Sequence, residues 1–269
     1  MSVSATPPPD AGDLGMTTAE GITTLWLNRP AKRNAVTYEM WHSIAETCRQ
    51  LANDATVRLL VIRGAGDHFC AGADIHGLSD VSPADYEAAN RRADHAIATF
   101  PKPTIAYITG ACTGGGTQIA VACDLRIADT TARFGITPAR LGILYPSYAI
   151  ERVTHLIGPS ATKHLLYTAE IVDSERALRI GLIDEAHPPS SAHRRLDQLT
   201  DLIAHQRSLM TQMATKEMVD TVVMNGHIDQ DITDRWKTAA ANSPDPAQGI
   251  TAFIQGHNPT FTWTPTTPT

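Results

Sequence analysis

Three short, largely apolar runs constrain this chain more than any other feature: Arg58–Arg63 (RLLVIR), Thr104–Ile108 (TIAYI) and Leu125–Ala128 (LRIA). A strand that is apolar on both faces must be covered on both faces, as in parallel sheets flanked by helices. Helical stretches separate the runs. Thr37 caps one through about Leu51, with Met40, Ile44, Thr47 and Leu51 at helical spacing. Pro83 opens a polar helix to about Phe100, and Ile119–Cys123 follows a glycine triplet. Strands alternating with helices predict an α/β fold with βαβ units and a layered core. A further strand is predicted at Gly21–Asn28, closed by Arg29–Pro30. From Ser160 the pattern turns helical, at Ala161–Tyr167, Ser174–Ile180, Leu196–Gln206 and Ser208–Met224, with one strand signal at Leu182–Asp184. The predicted organisation is a disordered leader over 1–16, a core over 17–190, a helical subdomain over 191–256 and a disordered tail over 257–269.

Composition narrows the function classes. There are 22 Lys and Arg against 28 Asp and Glu, a net charge of −6. That balance argues against a nucleic-acid partner, which needs a basic stripe to neutralise phosphates. It leaves room for a small anionic ligand held by a few local cations. No run approaches the ~18 apolar residues of a membrane span, so no membrane partner is expected. The leader carries no Lys or Arg and is not a secretory signal. The four cysteines, Cys48, Cys70, Cys112 and Cys123, form no C-x-x-C pair and read as buried free thiols of a cytoplasmic protein. The eleven histidines form no H-E-x-x-H or comparable set, so no metal is expected.

Chemistry concentrates in two glycine-containing turns, Phe69-Cys70-Ala71-Gly72-Ala73-Asp74-Ile75 and Gly110-Ala111-Cys112-Thr113-Gly114-Gly115-Gly116. Each follows a buried strand, the position that borders the ligand crevice in parallel sheets. A glycine-rich turn opening a helix presents unpaired amides to an anion. Two such turns converging would form an oxyanion hole. Neither fits the phosphate-loop or dinucleotide spacing, and there is no G-x-S-x-G elbow for a serine hydrolase.

An ordered series of segments resembles the crotonase (enoyl-CoA hydratase/isomerase) superfamily. It comprises Leu27-Asn28-Arg29-Pro30 with Asn34-Ala35, the two turns, Ala122–Ala128, Arg133-Phe134-Gly135 and Glu175–Ile183. The resemblance implies a spiral of ββα units, a C-terminal helical trimerisation region and a CoA-thioester substrate. The backbone amides of Ala73 and Gly115 would then stabilise the enolate oxygen, with Asp74 read as a helix-capping carboxylate.

The hydratases of this family use two glutamates as base and acid. Here the corresponding positions are Gln118 and Pro138, in a register supported by Leu141-Gly142 and Gly158. An amide exchanges no proton near neutral pH, and proline offers no side-chain chemistry. The string from Thr137 to Pro146, with Asp74-Ile75-His76, resembles the methylmalonyl-CoA decarboxylases, where loss of CO₂ itself generates the enolate. The residue before that aspartate is Ala73, so a histidine at the oxyanion turn is not carried over. Gln118, Thr137, Tyr145 and His76 are the side chains that could assist. Gln118 would orient water or a carboxylate. Tyr145 would donate a proton or line the acyl pocket, and His76 reads by default as a surface residue.

For CoA the resemblance points to Lys32 or Arg33 at the phosphates, backbone from Ala71 through Gly72 to Ala73 at the adenine, and Lys216 reaching a neighbouring subunit's ligand, with Gly114 also among the substrate-binding residues. It implies no redox or metal cofactor and a homotrimer or dimer of trimers. The leading function is an enzyme acting on an acyl-CoA, or on an acyl-carrier-protein thioester, through an oxyanion-hole-stabilised enolate. Within that class hydratase, isomerase, decarboxylase and thioester hydrolase stay open, and the missing glutamates point toward decarboxylase-like chemistry. The alternatives are a hydratase or isomerase with non-standard residues, and a catalytically silent acyl-CoA-binding or assembly subunit.

Overall fold

The computed structural model describes residues 3, 6–8, 12–75 and 81–265. The chain opens with a hairpin, β1 (Leu14–Ala19) and β2 (Ile22–Leu27), in which Ala19 faces Ile22. Its two-residue loop, Glu20-Gly21, has φ of 49° and 80°. Positive φ at both positions is the twist that two-residue hairpins prefer. Helix α1 (Tyr38–Ala52) follows, and the Thr37 hydroxyl accepts a hydrogen bond from the Met40 amide as the predicted cap.

The remaining elements in chain order are β3 (Leu59–Gly64), α2 (Pro83–Ala98), β4 (Thr104–Ile108), β5 (Ala111–Thr113), α3 (Gly115–Ala122), β6 (Leu125–Asp129), β7 (Arg133–Gly135), α4 (Ser147–Thr168), β8 (Val172–Asp173), α5 (Ser174–Arg179), β9 (Glu185–His187), α6 (Pro189–His205), α7 (Leu209–Asn225), α8 (Gln230–Ala241) and α9 (Asp245–Gln255). Six strands form the main sheet in the order β1-β2-β3-β4-β6-β9, parallel from β2 onward. The alternation of side chains divides β3 between two cores. Leu60 and Ile62 pack with Trp41, Ile44 and Phe134 on one side. Leu59 and Val61 pack with Ile105, Ile127, Ala192 and Leu196 on the other. Burial on both faces is what the uninterrupted apolar runs require.

A second, smaller layer sets the site. Strands β5, β7 and β8 form its sheet, and isolated bridges extend it from Cys112 to Cys70 and from Ala73 to Val36. Four successive turns of the chain, those of β2, β3, β4 and β6, thus each contribute one strand to the main sheet and a short segment to this layer before the helix that follows. This is the spiral of ββα units that the resemblance implies.

The sequence reading needs several amendments. Strands β1, β5, β7 and β8 were not expected, and the strand predicted at Leu182–Asp184 lies just beyond, at Glu185–His187. Helix α3 starts at Gly115, four residues before the apolar run. Strand β1 begins inside the stretch assigned to the leader, and Val3 is buried with its amide donating to Asp197. Helix α6 is a layer of the core, not the start of a subdomain, because Ala192, Leu196 and Ala204 pack on β3, β4 and β6. Beyond residue 257, the Trp263 amide donates to Asp245 and Thr262 bonds Gln248, so the chain is held against α9 within the stretch predicted as a disordered tail.

Candidate active site

The two glycine-containing turns are zipped together by their backbones. Phe69 N–H donates to Thr109 O at 2.7 Å, Cys70 N–H to Ala111 O at 2.8 Å, and Thr113 N–H to Cys70 O at 2.9 Å. The Thr113 hydroxyl adds a bond to Ala71 O at 2.9 Å. The loop after β2 is laced to the same turn: Ala71 N–H donates to Arg33 O, Val36 N–H to Gly72 O and Asp74 N–H to Val36 O. Asn34, fully buried, accepts from Arg29 N–H and donates to the carbonyls of Ala65 and His68. Asp74 forms an ion pair with Arg29 at 2.8 Å, joining the first and second turns of the spiral.

This lacing leaves two amides over. Among the described residues, neither Ala73 N–H nor Gly115 N–H has a hydrogen-bond partner. Gly115 opens α3, where the first amides of a helix have no carbonyl to reach. The two groups converge. A Cβ built on Gly115 would lie 3.4 Å from Ala73 N, and one built on Gly72 would lie 3.5 Å from Gly115 N. Both residues are half-buried, so an oxygen can reach them from solvent. Close approach depends on Gly116, whose Cβ would stand 2.2 Å from Cys70 O. The geometry brings together Ala71, Gly72, Ala73, Gly114 and Gly115. Two unpartnered backbone donors held this close together are the kind of pair that can receive an oxyanion.

The side chains around the amides are mostly engaged. Gln118, one turn into α3 and buried, donates through Nε2 to Asn90 Oδ1 at 2.8 Å. The Tyr148 hydroxyl also donates to Asn90 Oδ1. One turn along both helices, Asp94 Oδ2 pairs with Arg152 at 2.9 Å, while Asp94 Oδ1 is buried with no hydrogen-bond partner among the described residues. The Tyr145 hydroxyl donates to Gly114 O at 3.0 Å. Burial, then the Asp94 charge, pushes both the Tyr145 and Tyr148 phenols above their ordinary range, so both stay protonated. Thr137 is half-buried near Gly114: its Oγ1 would lie 3.9 Å from a Cβ there, and among the described residues that hydroxyl has no hydrogen-bond partner. Pro138 opens a single 3-10 turn, Pro138–Arg140. His76 lies outside the described residues. The cysteine nearest the amides, Cys70, is buried, which pushes its thiol up to about 12, and is inert as a nucleophile.

The cation candidates divide. Lys32 and Arg33 are exposed on the loop laced to Ala71, beside the turns. Lys216 is placed elsewhere, at the opposite end of the parallel strands. Its amine pairs with Asp124 at 2.9 Å and donates to Lys102 O at 3.3 Å, with the side chain 9% exposed. Asp124 also accepts from Thr104 N–H, which makes it a structural group where β4 begins. Among the described residues no cluster of three or more His, Cys, Asp or Glu could hold a metal.

Sequence reasoning missed the α2 contribution, Asn90 and Asp94, and its α4 partners Tyr148 and Arg152. It also missed Trp41, whose ring lies 3.2 Å from where a Gly115 Cβ would be and whose indole donates to Tyr86 at 2.9 Å. The available signal was the i, i+4 spacing of Asn90 with Asp94 and of Tyr148 with Arg152.

Comparison with known proteins agrees with this geometry. The sequence model of the enoyl-CoA hydratase/isomerase family matches residues 17–264. The chain is 30% identical over 253 residues to the crotonyl-CoA hydratase of Syntrophomonas wolfei, covering 90% of this chain and 95% of that protein. A crystal structure of an enoyl-CoA hydratase/isomerase family member superposes with a TM-score of 0.87 at 36% identity, covering 94% of this chain and 98% of that one. An enoyl-CoA hydratase/carnitine racemase from Magnetospirillum magneticum shares the fold, with a TM-score of 0.89 at 24% identity over 94% of this chain and 96% of that one. Motifs, spiral and converging turns lead to one conclusion: the chain belongs to the enoyl-CoA hydratase/isomerase family of the crotonase superfamily.

Proposed function

We propose that this protein binds an acyl-CoA thioester with its carbonyl oxygen between Ala73 N–H and Gly115 N–H, and that it stabilises an enolate without a glutamate pair. The observation that carries this reading is the pair of converging, unpartnered amides beside positions 118 and 138, occupied by glutamine and proline. Decarboxylation suits such a site. The bond between the α-carbon and the carboxylate breaks, CO₂ leaves, and the electron pair passes into the enolate held by the amides. Solvent then returns a proton to the α-carbon, so no side-chain base is needed to start the reaction. Lys32 and Arg33, exposed on the loop bonded to Ala71, would supply the cations for the CoA phosphates. The reading extends to a homotrimer or dimer of trimers in the cytoplasm. It draws on the exposed apolar side chains Val219, Val222 and Val223 of α7 and on four unpaired, buried cysteines. Among the described residues, no helix is long and apolar enough to cross a membrane.

A second reading, a silent acyl-CoA-binding subunit, is favoured by the engagement of Gln118 and Tyr145 in internal hydrogen bonds. Incubation with crotonyl-, malonyl- and methylmalonyl-CoA, followed by mass spectrometry, separates the two. Loss of CO₂ from the malonyl compounds with no water added to crotonyl-CoA is expected. Hydration of crotonyl-CoA at ordinary enzymatic rates refutes the inference from the missing glutamates. Binding without conversion supports the silent subunit, and no binding directs attention to carrier-protein thioesters.

A further inference from the structure

The Tyr145 hydroxyl is bonded to a carbonyl that belongs to the oxyanion site itself. Gly114 O and Gly115 N–H are the two ends of one planar peptide unit, so whatever fixes the oxygen fixes the direction of the N–H. Gly114 O accepts from Tyr145 Oη at 3.0 Å and from Gln118 N–H at 3.0 Å. The Gln118 bond is an ordinary bond of α3. The tyrosine bond comes from outside the helix, from a residue thirty-one positions further along the chain. The other donor is secured in the same way: Gly72 O, at the far end of the Ala73 peptide, accepts from Val36 N–H at 2.8 Å. Gly114 is the N-cap of α3, at φ 53° and ψ −114°, so its carbonyl takes one bond from the helix and offers its second lone pair to Tyr145. A donor on the carbonyl also draws electron density from the amide nitrogen, which strengthens the N–H as a donor.

We infer that Tyr145 is a positioning residue that holds and polarises the Gly114–Gly115 peptide so that Gly115 N–H points at the acyl oxygen. This deepens the proposed function and rests on it. Of the two roles expected of Tyr145, proton donation to substrate gives way on this reading, since its hydrogen is committed to Gly114 O, while lining the acyl pocket stays compatible with it. Burial keeps the phenol protonated and therefore a donor throughout the neutral range.

The test uses 4-dimethylaminocinnamoyl-CoA, a thioester whose absorption moves to the red as its carbonyl is polarised, with the full-length protein and its Tyr145→Phe and Tyr148→Phe variants. The unsubstituted protein is expected to bind the probe with a red shift. Tyr145→Phe is expected to bind within about threefold of the same Kd but with the red shift at least halved, and Tyr148→Phe to keep the full shift. A full shift in Tyr145→Phe overturns the inference, as does an equal loss in both variants. Should Tyr145→Phe fail to fold, 3-fluorotyrosine placed at Tyr145 gives a more acidic hydroxyl and a larger red shift, and an unchanged shift overturns the inference. No binding or no shift in the unsubstituted protein sinks the functional reading, a result distinct from any difference between variants.

Discussion

Gly115→Ala separates catalysis from folding. Gly115 lies outside the left-handed region, so an alanine there is not strained. The nearest atom to the new methyl is Trp41 Cζ2 at 3.2 Å, a contact relieved by a few tenths of an ångström. Loss of glycine also lowers the entropy of the unfolded chain, a gain of about 0.4–1 kcal/mol. Stability should therefore change by less than about 1 kcal/mol. The methyl, however, stands 3.4 Å from Ala73 N and one bond from the Gly115 backbone, in the space between the two donors. An oxygen accepting from Ala73 would need to stand about 2.9 Å from the same nitrogen. Removing a single oxyanion donor costs about 3–4 kcal/mol of transition-state stabilisation, or roughly 10²–10³ in rate. Thermal unfolding should thus be nearly unchanged while the probe's red shift disappears and turnover of the active acyl-CoA falls at least about 100-fold. A variant that folds, binds and still polarises the probe would refute the oxyanion assignment.

Gly116→Ala should behave oppositely, because its Cβ would meet Cys70 O at 2.2 Å and force the two turns apart. A loss of at least about 2 kcal/mol in chemical denaturation is expected, together with loss of the red shift. Lys216→Met leaves Asp124 without its cation, and a destabilisation of about 1–3 kcal/mol is expected, between the exposed and buried limits. The probe's red shift should survive, whereas an intact Tm with weakened CoA binding would restore Lys216 to the ligand site. The Glu185 carboxyl is held down at about 2, first by the Arg195 hydrogen bond and then by His187, against an ordinary value of 4.5. Its native form binds fewer protons than the unfolded chain in that window, so its contribution is complete above about pH 4.5 and lost as pH falls through 2. Denaturation across this range should show a shallower acid loss in Glu185→Gln than in the unsubstituted chain.

The parts of the fold legible in the sequence are those with local causes. Thr37 reads as a cap because its hydroxyl competes for nearby amides, and β3, β4 and β6 read as buried because both of their faces are apolar. The second layer escapes such reading, since β5, β7 and β8 are two or three residues long and exist only through partners from other turns of the spiral. Helix α2 escapes it as well. It buries Asn90 and Asp94 beside its alanines, so polarity does not mark its outer face. The amides of Ala73 and Gly115 could be inferred only from surrounding glycines and from resemblance, because a main-chain donor leaves no signature in the residue that carries it. The engagement of Tyr145 with Gly114 depends on a loop path that no periodicity encodes.

Because both donors belong to the main chain, the genetic code offers few ways to delete them. Nearly any substitution at Ala73 keeps its N–H, and at Gly115 it is the added bulk, not the loss of the group, that does harm. On the proposed function, side chains at 118, 137 and 138 can change without erasing the electrophile-binding step. On that same reading the scaffold separates the capacity to hold a carbonyl oxygen from an editable choice of what happens next. An engineer seeking a new reaction here would leave the two turns alone and redesign the faces of α2 and α4 that look onto them.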